Sequence, residues 1–357
     1  MITLGMLCYG VGRLKFDKEA VPTLAIVGVG KGGTTEAFMQ LAERGFGASR
    51  AKELGCLFLA NFLQVYRCYD EAFNLSFSGQ LTVDATPMYF YRPAVADRMA
   101  AFSPSTTILV MLREPLSRIQ SLYNHWLVRV NTSIPLKEHL QLELEYLSAK
   151  ETRASVSALF NSSSVKAFDV LQSLRTQIHS CTRGMGTSAC SKARHWRDTY
   201  QLPGRPYSYL LTSLYYICLR KWSKAMLHPS RPGKFAVVQS EAFFANESHL
   251  LDLIEIPDWH AQRKLQDIHF GIRHFEHEYP EAGTLSRSLA MRIRNWFEKP
   301  RLSLLSHLHE MSSMGALVVP SMHTAGSWWA KKWDPSQICA PPEAGSICRK
   351  CACSLAG

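Results

Sequence analysis

Acid is in short supply in this sequence: 29 Asp and Glu face 40 Lys and Arg, which leaves a formal charge of +11 with histidine neutral. That balance disfavours cationic partners and suits anionic ones, such as nucleotides, sulfated glycans, nucleic acid or a membrane surface, without choosing among them. Internal repeats and low-complexity blocks are missing, which excludes a repeat architecture. The opening apolar stretch, Met1–Val11, is too short to span a bilayer and has neither a basic leader region nor a clear cleavage site. Asparagine is scarce. Of seven, four (Asn74, Asn131, Asn161 and Asn246) stand in Asn-x-Ser/Thr triplets, which accept glycans only in the secretory pathway. The triplets predict a glycoprotein of the Golgi lumen or membrane. The N-terminus leaves two readings beside that: a membrane anchor ahead of residue 1, or a cytoplasmic protein.

Cysteine, by contrast, is plentiful, with ten residues, more than a reducing cytosol usually needs. Cys181 and Cys190 bracket the loop CTRGMGTSAC, which reads as a disulfide or as two loop thiols. Cys339, Cys348, Cys351 and Cys353 crowd the tail, but no second knuckle or nearby histidine completes a zinc site. The tail reads as disordered or disulfide-bonded, and no metal is expected.

A chain of 357 residues, 46% hydrophobic, can bury a large core. Pro22–Val29 (PTLAIVGV) and Thr106–Leu112 (TTILVML) are continuous apolar runs of strand length, as buried parallel strands are. Leu81–Asp84 and Lys234–Val238 are further strand candidates. Helical spacing predicts helices over Thr34–Arg44, Pro93–Phe102, Pro115–Arg129, Tyr207–Leu227, Phe243–Ile254 and Thr284–Leu308. Alternating strands and helices imply an α/β fold, a P-loop-like parallel sheet flanked by helices. The expected organisation is an N-terminal segment over 1–20, one domain over 21–335 with a variable helical insertion at 131–206, and a Cys-containing tail over 336–357.

The first strand runs into Gly28-Val-Gly-Lys-Gly-Gly-Thr-Thr35 and then a helix. A glycine-rich turn there aims several backbone N–H groups at one spot, and the helix dipole adds partial positive charge. Lys31 supplies a full charge, and the Thr34 and Thr35 hydroxyls can donate. A loop that merely turns strand into helix is the other reading. A Walker A loop carries its lysine directly before Ser or Thr at the end; Lys31 comes before Gly-Gly-Thr-Thr, so the loop is not one. It is not a dinucleotide fingerprint either, for no acidic ribose-binding residue follows a clear second strand.

GVGKGGTT after an apolar strand resembles the 5'-phosphosulfate loop of sulfotransferases, especially the heparan and chondroitin-type carbohydrate enzymes. The resemblance implies that Lys31 contacts the phosphosulfate and stabilises the departing phosphate while Gly32, Gly33, Thr34 and Thr35 cradle it. After TTILVML comes Arg113-Glu-Pro, with Ser121 eight residues on and Tyr123 after it. Alone this is a helix start with a surface salt bridge. Its spacing, R-[DE]-P-x5-S-x-Y, is similar to the same family's 3'-phosphate element, which gives Arg113 and Ser121 that role. LTVDATPMYF (81–90), LYYICLRKW (214–222) with Glu241 after the next strand, and NWFEKPRLSLL (295–305) extend the likeness over roughly 22–308.

The family implies 3'-phosphoadenosine 5'-phosphosulfate as co-substrate, a hydroxyl acceptor, carbohydrate or other, and no nucleic acid. A general base must take the acceptor's proton. The segment Ala51-Lys-Glu-Leu-Gly-Cys-Leu-Phe58 looks like the family's Lys-Glu-x-x-Phe, which makes Glu53 the base and Lys52 a sulfonate contact; an exposed Lys-Glu pair is the alternative. His125 is the second candidate base, or else a solvated or core-edge histidine. Heparan-type enzymes often carry a lysine where Ala85 stands, and Asp84 beside it reads as an acceptor contact or as a partner that orients Lys31. Two other functions compete. A nucleotide kinase-like phosphotransferase would need a Walker A loop and a Mg²⁺ ligand. A non-catalytic basic glycan-binding protein would need clustered basic and aromatic residues, and here the charges are scattered.

Overall fold

The computed structural model describes residues 21–43, 46–48, 51–59, 61–73, 81–130, 135–161, 167, 169–171, 173–177, 208–227, 234–244 and 285–319. The Cys181–Cys190 loop, the four tail cysteines, the triplets at Asn74, Asn131 and Asn246 and most of the helix expected up to Ile254 lie outside these residues.

Six strands form one sheet: β1 (Leu24–Gly28), β2 (Gly47–Ala48), β3 (Thr82–Asp84), β4 (Thr107–Leu112), β5 (Phe235–Gln239) and β6 (Leu317–Val319). Their order is β2-β3-β1-β4-β5-β6, and every pairing is parallel. Every residue of β1, β4 and β5 is buried, which is why these strands read as unbroken apolar runs rather than as alternation. Period 2 still sorts their side chains between two faces. Ala25, Val27, Ile108, Val110 and Val237 enter one core with Val95, Met99, Leu219 and Trp222. Leu24, Ile26, Leu109, Met111, Ala236 and Val238 enter another with Ala37, Phe38, Leu41 and Phe243. Two covered faces are what an all-parallel sheet requires.

The helices are α1 (Thr34–Glu43), α2 (Phe62–Phe73), α3 (Pro93–Phe102), α4 (Pro115–Val130), α5 (Leu136–Ser148), α6 (Lys150–Asn161), α7 (Tyr215–Met226), α8 (Ser240–Phe244) and α9 (Arg287–Ser313). α3 starts on proline as expected, and the Ser286 hydroxyl caps α9 by accepting from Leu289 N. The single helix expected over Tyr207–Leu227 is instead a 3-10 turn at Leu211–Ser213 followed by α7. The Ser208, Thr212 and Ser213 hydroxyls bond to nearby backbone groups there, a local alternative that competes with a continuous helix.

One topological fact places the site. The chain leaves β1 and adds β3 on one side, then returns to lay β4 on the other. Open parallel sheets bind ligands outside the carboxyl ends of strands at such a switch point. The loops after β1 and β4 meet there.

Candidate anion-binding site

The loop after β1 is held by its own backbone and by its neighbours. Val29 N donates to Met111 O at 2.8 Å, which extends the contact with β4, and Gly32 N donates back to Val29 O at 2.9 Å. A Cβ on Gly32 would lie 2.7 Å from Met111 O and 2.9 Å from Val29 O, so only glycine fits. Gly33 adopts φ 85° and faces the Phe244 ring, 2.7 Å from where a Cβ would stand. Lys31 also has positive φ, 68°. A non-glycine residue in that region costs about 1–2 kcal/mol. A turn built for stability alone would place glycine here, and strain of this kind gathers at functional sites.

Two braces come from later strands. The Ser240 hydroxyl, first in α8, lies 2.6 Å from Gly32 O and 2.9 Å from Leu112 O and has one proton to share between them. With the Gly32 carbonyl turned to Ser240, the Gly33 N–H of the same trans peptide points the opposite way. The first-turn N–H groups of α1 have no intrahelical acceptor. Arg113, just past β4, donates from Nη1 to Lys31 O at 3.4 Å, and its own carbonyl accepts from Tyr215 Oη at 2.9 Å. Lys31 and Arg113 therefore occupy one end of the sheet on neighbouring loops.

Behind Arg113 lie two buried carboxyls. Glu114 caps α4 by accepting from Leu116 N (2.9 Å) and Ser117 N (2.6 Å), and its own N–H donates to Glu241 Oε1 at 2.7 Å. Burial pushes both carboxyls above the usual range, opposed in part by the backbone hydrogen bonds they accept and, after those, by the Arg113 charge.

Lys52 and Glu53 approach the loop from the other side. Lys52 Nζ stands 3.4 Å from Thr34 Oγ1 and 3.1 Å from Glu53 Oε1. Burial lowers the Lys52 pKa; Glu53 opposes that, and the Lys31 charge adds to it. The Glu53 side chain is 52% exposed and that of Lys52 19%, so the carboxylate faces outward and the ammonium inward. Further along the chain Phe58 and Phe62 are 43% and 49% exposed, the Phe58 ring standing edge-on to Tyr89 at 5.0 Å.

The segment carrying this pair hangs from Asp84. Fully buried at 0% exposure, Asp84 accepts from Thr86 Oγ1 (2.7 Å), Tyr69 Oη (2.9 Å) and Tyr89 Oη (3.0 Å), with a further bond from Leu54 N–H. Two of those donors also hold the segment itself: Gly55 N donates to Thr86 Oγ1 and Leu57 N to Tyr89 Oη, each at 3.1 Å. Ala85 N donates to Lys52 O. Cys56, opening the 3-10 turn Cys56–Phe58, is disulfide-bonded to Cys68 of α2. The expectation that Asp84 meets an acceptor or orients Lys31 is corrected. It is enclosed by two tyrosines and a threonine, and it positions the Lys52–Leu57 segment.

Of the residues expected at the site, Lys31, Gly32, Gly33, Thr34 and Thr35 share the loop and the start of α1, and Arg113 adjoins them. Glu53 stands across from Thr34 through Lys52. Ser121 is half-buried on α4, about 9 Å along the axis from its first residue. His125, also half-buried, lies one turn further on the same side of that helix. Sequence reasoning missed Ser240, the Asp84 donors and the Cys56–Cys68 bridge. It also missed Arg118, fully buried on α4, whose Nη2 donates to Thr212 Oγ1 and Ser213 Oγ, each at 2.7 Å. Tyr89 and Thr86 stood in view inside LTVDATPMYF. Nothing local in the sequence pointed to Ser240.

No known family's sequence profile matches the chain. Among solved structures it is similar to a sulfotransferase from Alicyclobacillus acidocaldarius, 16% identical over 83% of this chain and 99% of that one, with a TM-score of 0.47.

Proposed function

We propose that the protein transfers a sulfuryl group from 3'-phosphoadenosine 5'-phosphosulfate to a hydroxyl, that of a carbohydrate. The observation that carries this reading is the meeting of two basic loops at the carboxyl ends of β1 and β4, with Arg113 Nη1 3.4 Å from Lys31 O. One loop suits the 5' end of a doubly anionic nucleotide and the other its 3'-phosphate. Arginine fits the second role because its planar fork bonds phosphate oxygens in pairs, and Ser121 adds a hydroxyl from α4.

The acceptor oxygen forms a bond to sulfur as the bond from sulfur to the 5'-phosphate oxygen breaks. The electron pair leaves on that phosphate, giving adenosine 3',5'-bisphosphate, and the acceptor's proton passes to the Glu53 carboxylate. Lys31 and the loop amides meet the charge that grows on the leaving oxygen. His125 is the second candidate for the base. The outward-facing Glu53 supports an acceptor that arrives from solvent. The Cys56–Cys68 disulfide supports an oxidising, lumenal setting, in line with the glycosylation triplets.

Calorimetry with adenosine 3',5'-bisphosphate tests the binding half, with ADP as the control that lacks a 3'-phosphate. Labelled sulfate donor offered with a panel of glycans and simple alcohols tests the transfer. Tighter binding of the bisphosphate and label on a glycan are expected; equal affinity for ADP would overturn the reading.

A further inference from the structure

We propose, building on the sulfuryl-transfer reading, that Lys52 is a two-position switch: it pairs with Glu53 while the loop holds no donor and turns onto the sulfuryl group once the donor binds, so that Glu53 is freed as a base only then.

The geometry is that of one ammonium between two claims. Lys52 Nζ touches Glu53 Oε1 at 3.1 Å and reaches Thr34 Oγ1, the first residue of α1, at 3.4 Å. Its backbone cannot travel, because its carbonyl accepts from Ala85 N and the residues after it are tied to Thr86 and Tyr89. The four-carbon stem can move, and its three N–H donors need no fixed fork. The outer partner is weak: an exposed ion pair between adjacent residues binds loosely and is screened by salt. The inner surroundings disfavour the charged lysine on balance, through burial first and the Lys31 cation after it, against a smaller pull from the enclosed Asp84. The sulfonate of a bound donor, lying beyond the 5'-phosphate on the Lys52 side of the loop, reverses that balance and draws Nζ inward by the short path past Thr34.

While Lys52 holds Glu53, its ammonium occupies Oε1, an oxygen that an acceptor hydroxyl would otherwise meet. Withdrawal of the ammonium opens that oxygen at the moment an acceptor hydroxyl needs it. Lys52 keeps its own proton throughout; the proton that moves goes from acceptor to Glu53, and the bonds to sulfur exchange as above. The switch makes the addition ordered, donor first. It also makes Lys52 sensitive to the sulfuryl group and indifferent to the rest of the nucleotide.

The test uses the full chain with Lys52→Met and Lys52→Arg, and follows the affinity of each for the sulfate donor and for adenosine 3',5'-bisphosphate alongside turnover. Lys52→Met is expected to lose about 10²-fold in kcat and about tenfold in donor affinity, with bisphosphate affinity unchanged within about twofold and Lys52→Arg recovering part of the loss. Equal weakening of both nucleotides would make Lys52 part of the phosphate cradle and overturn the switch, as would unchanged turnover. If Lys52→Met fails to fold, product-inhibition patterns of the unaltered protein decide: random or acceptor-first addition overturns the proposal. A protein that binds neither nucleotide removes the transfer reading and the switch together, whereas one that transfers sulfate without regard to Lys52 removes the switch alone.

Discussion

Two charged hubs lie either side of the Lys52–Leu57 segment, and they are built on opposite terms. The anionic hub is closed: both oxygens of Asp84 are taken by hydroxyl donors, and two of those donors pass the support on to the backbone that carries Lys52 and Glu53. The cationic hub gathers Lys31, Lys52 and Arg113 round one loop, holds Lys31 in a strained backbone conformation and depresses Lys52 chiefly by burial, with its like-charged neighbour adding to that. A hub that satisfies itself serves the fold. A hub that concentrates like charge at a strained turn is the place where the proposed nucleotide's anionic groups would bring relief.

The sharpest way to break that contrast is Lys31→Gly. Glycine relieves the positive φ, so the melting temperature should hold or rise, while sulfuryl transfer falls by about 10²–10³-fold. Loss of both stability and turnover would show that the lysine serves the fold after all. The mirror experiment is Asp84→Ala. It leaves three buried hydroxyl donors without their acceptor and should cost about 3 kcal/mol or more in urea denaturation; a change within error would mean that the anionic hub is not closed.

Reduction of the Cys56–Cys68 bridge, or replacement of both cysteines by serine, should cost about 3 kcal/mol by the chain-entropy account for a separation of 12 residues, read as a lower denaturation midpoint under reducing conditions. The acceptor KM should rise more than the donor KM, because the bridge holds the Glu53 side of the site. Tyr69→Phe removes one donor to Asp84 and should cost about 1 kcal/mol.

The smallest effect concerns pH. Burial raises Asp84 above its ordinary value of 3.8, so between that value and its raised folded one the folded state binds more protons than the unfolded state does. Stability from this group is present below 3.8 and is lost as pH rises through the folded value. Measured against Asp84→Asn, the unaltered protein should lose relative stability with rising pH across that window; a gain would reverse the sign of the argument.

How far the sequence could be read depended on how local each signal was. β1, its loop and α1 were legible because an apolar run, a glycine cluster and a helical stripe are adjacent in the chain, and β4 with Arg113 repeated that logic. The cysteines misled, since the short spacings at Cys181–Cys190 and in the tail drew notice, while Cys56 and Cys68 meet only because a 3-10 turn folds back on α2. α2 itself, β2 and β6 were not read: β2 has two residues and β6 three, too few for any period to show. Arg118, the first basic residue of α4, carries no local mark of its place, yet it is buried against hydroxyls more than ninety residues away. Burial of a charge is decided by partners that no local window contains.

Ser240 braces the loop from 208 residues further along the chain. During synthesis the glycine-rich turn is made early but gains its Ser240 brace only when β5 has docked and α8 has begun. Any nucleotide that needs the finished turn is therefore blind to incomplete chains and stabilises only molecules that have closed the sheet. On the proposed function, nucleotide affinity doubles as a report that assembly is complete.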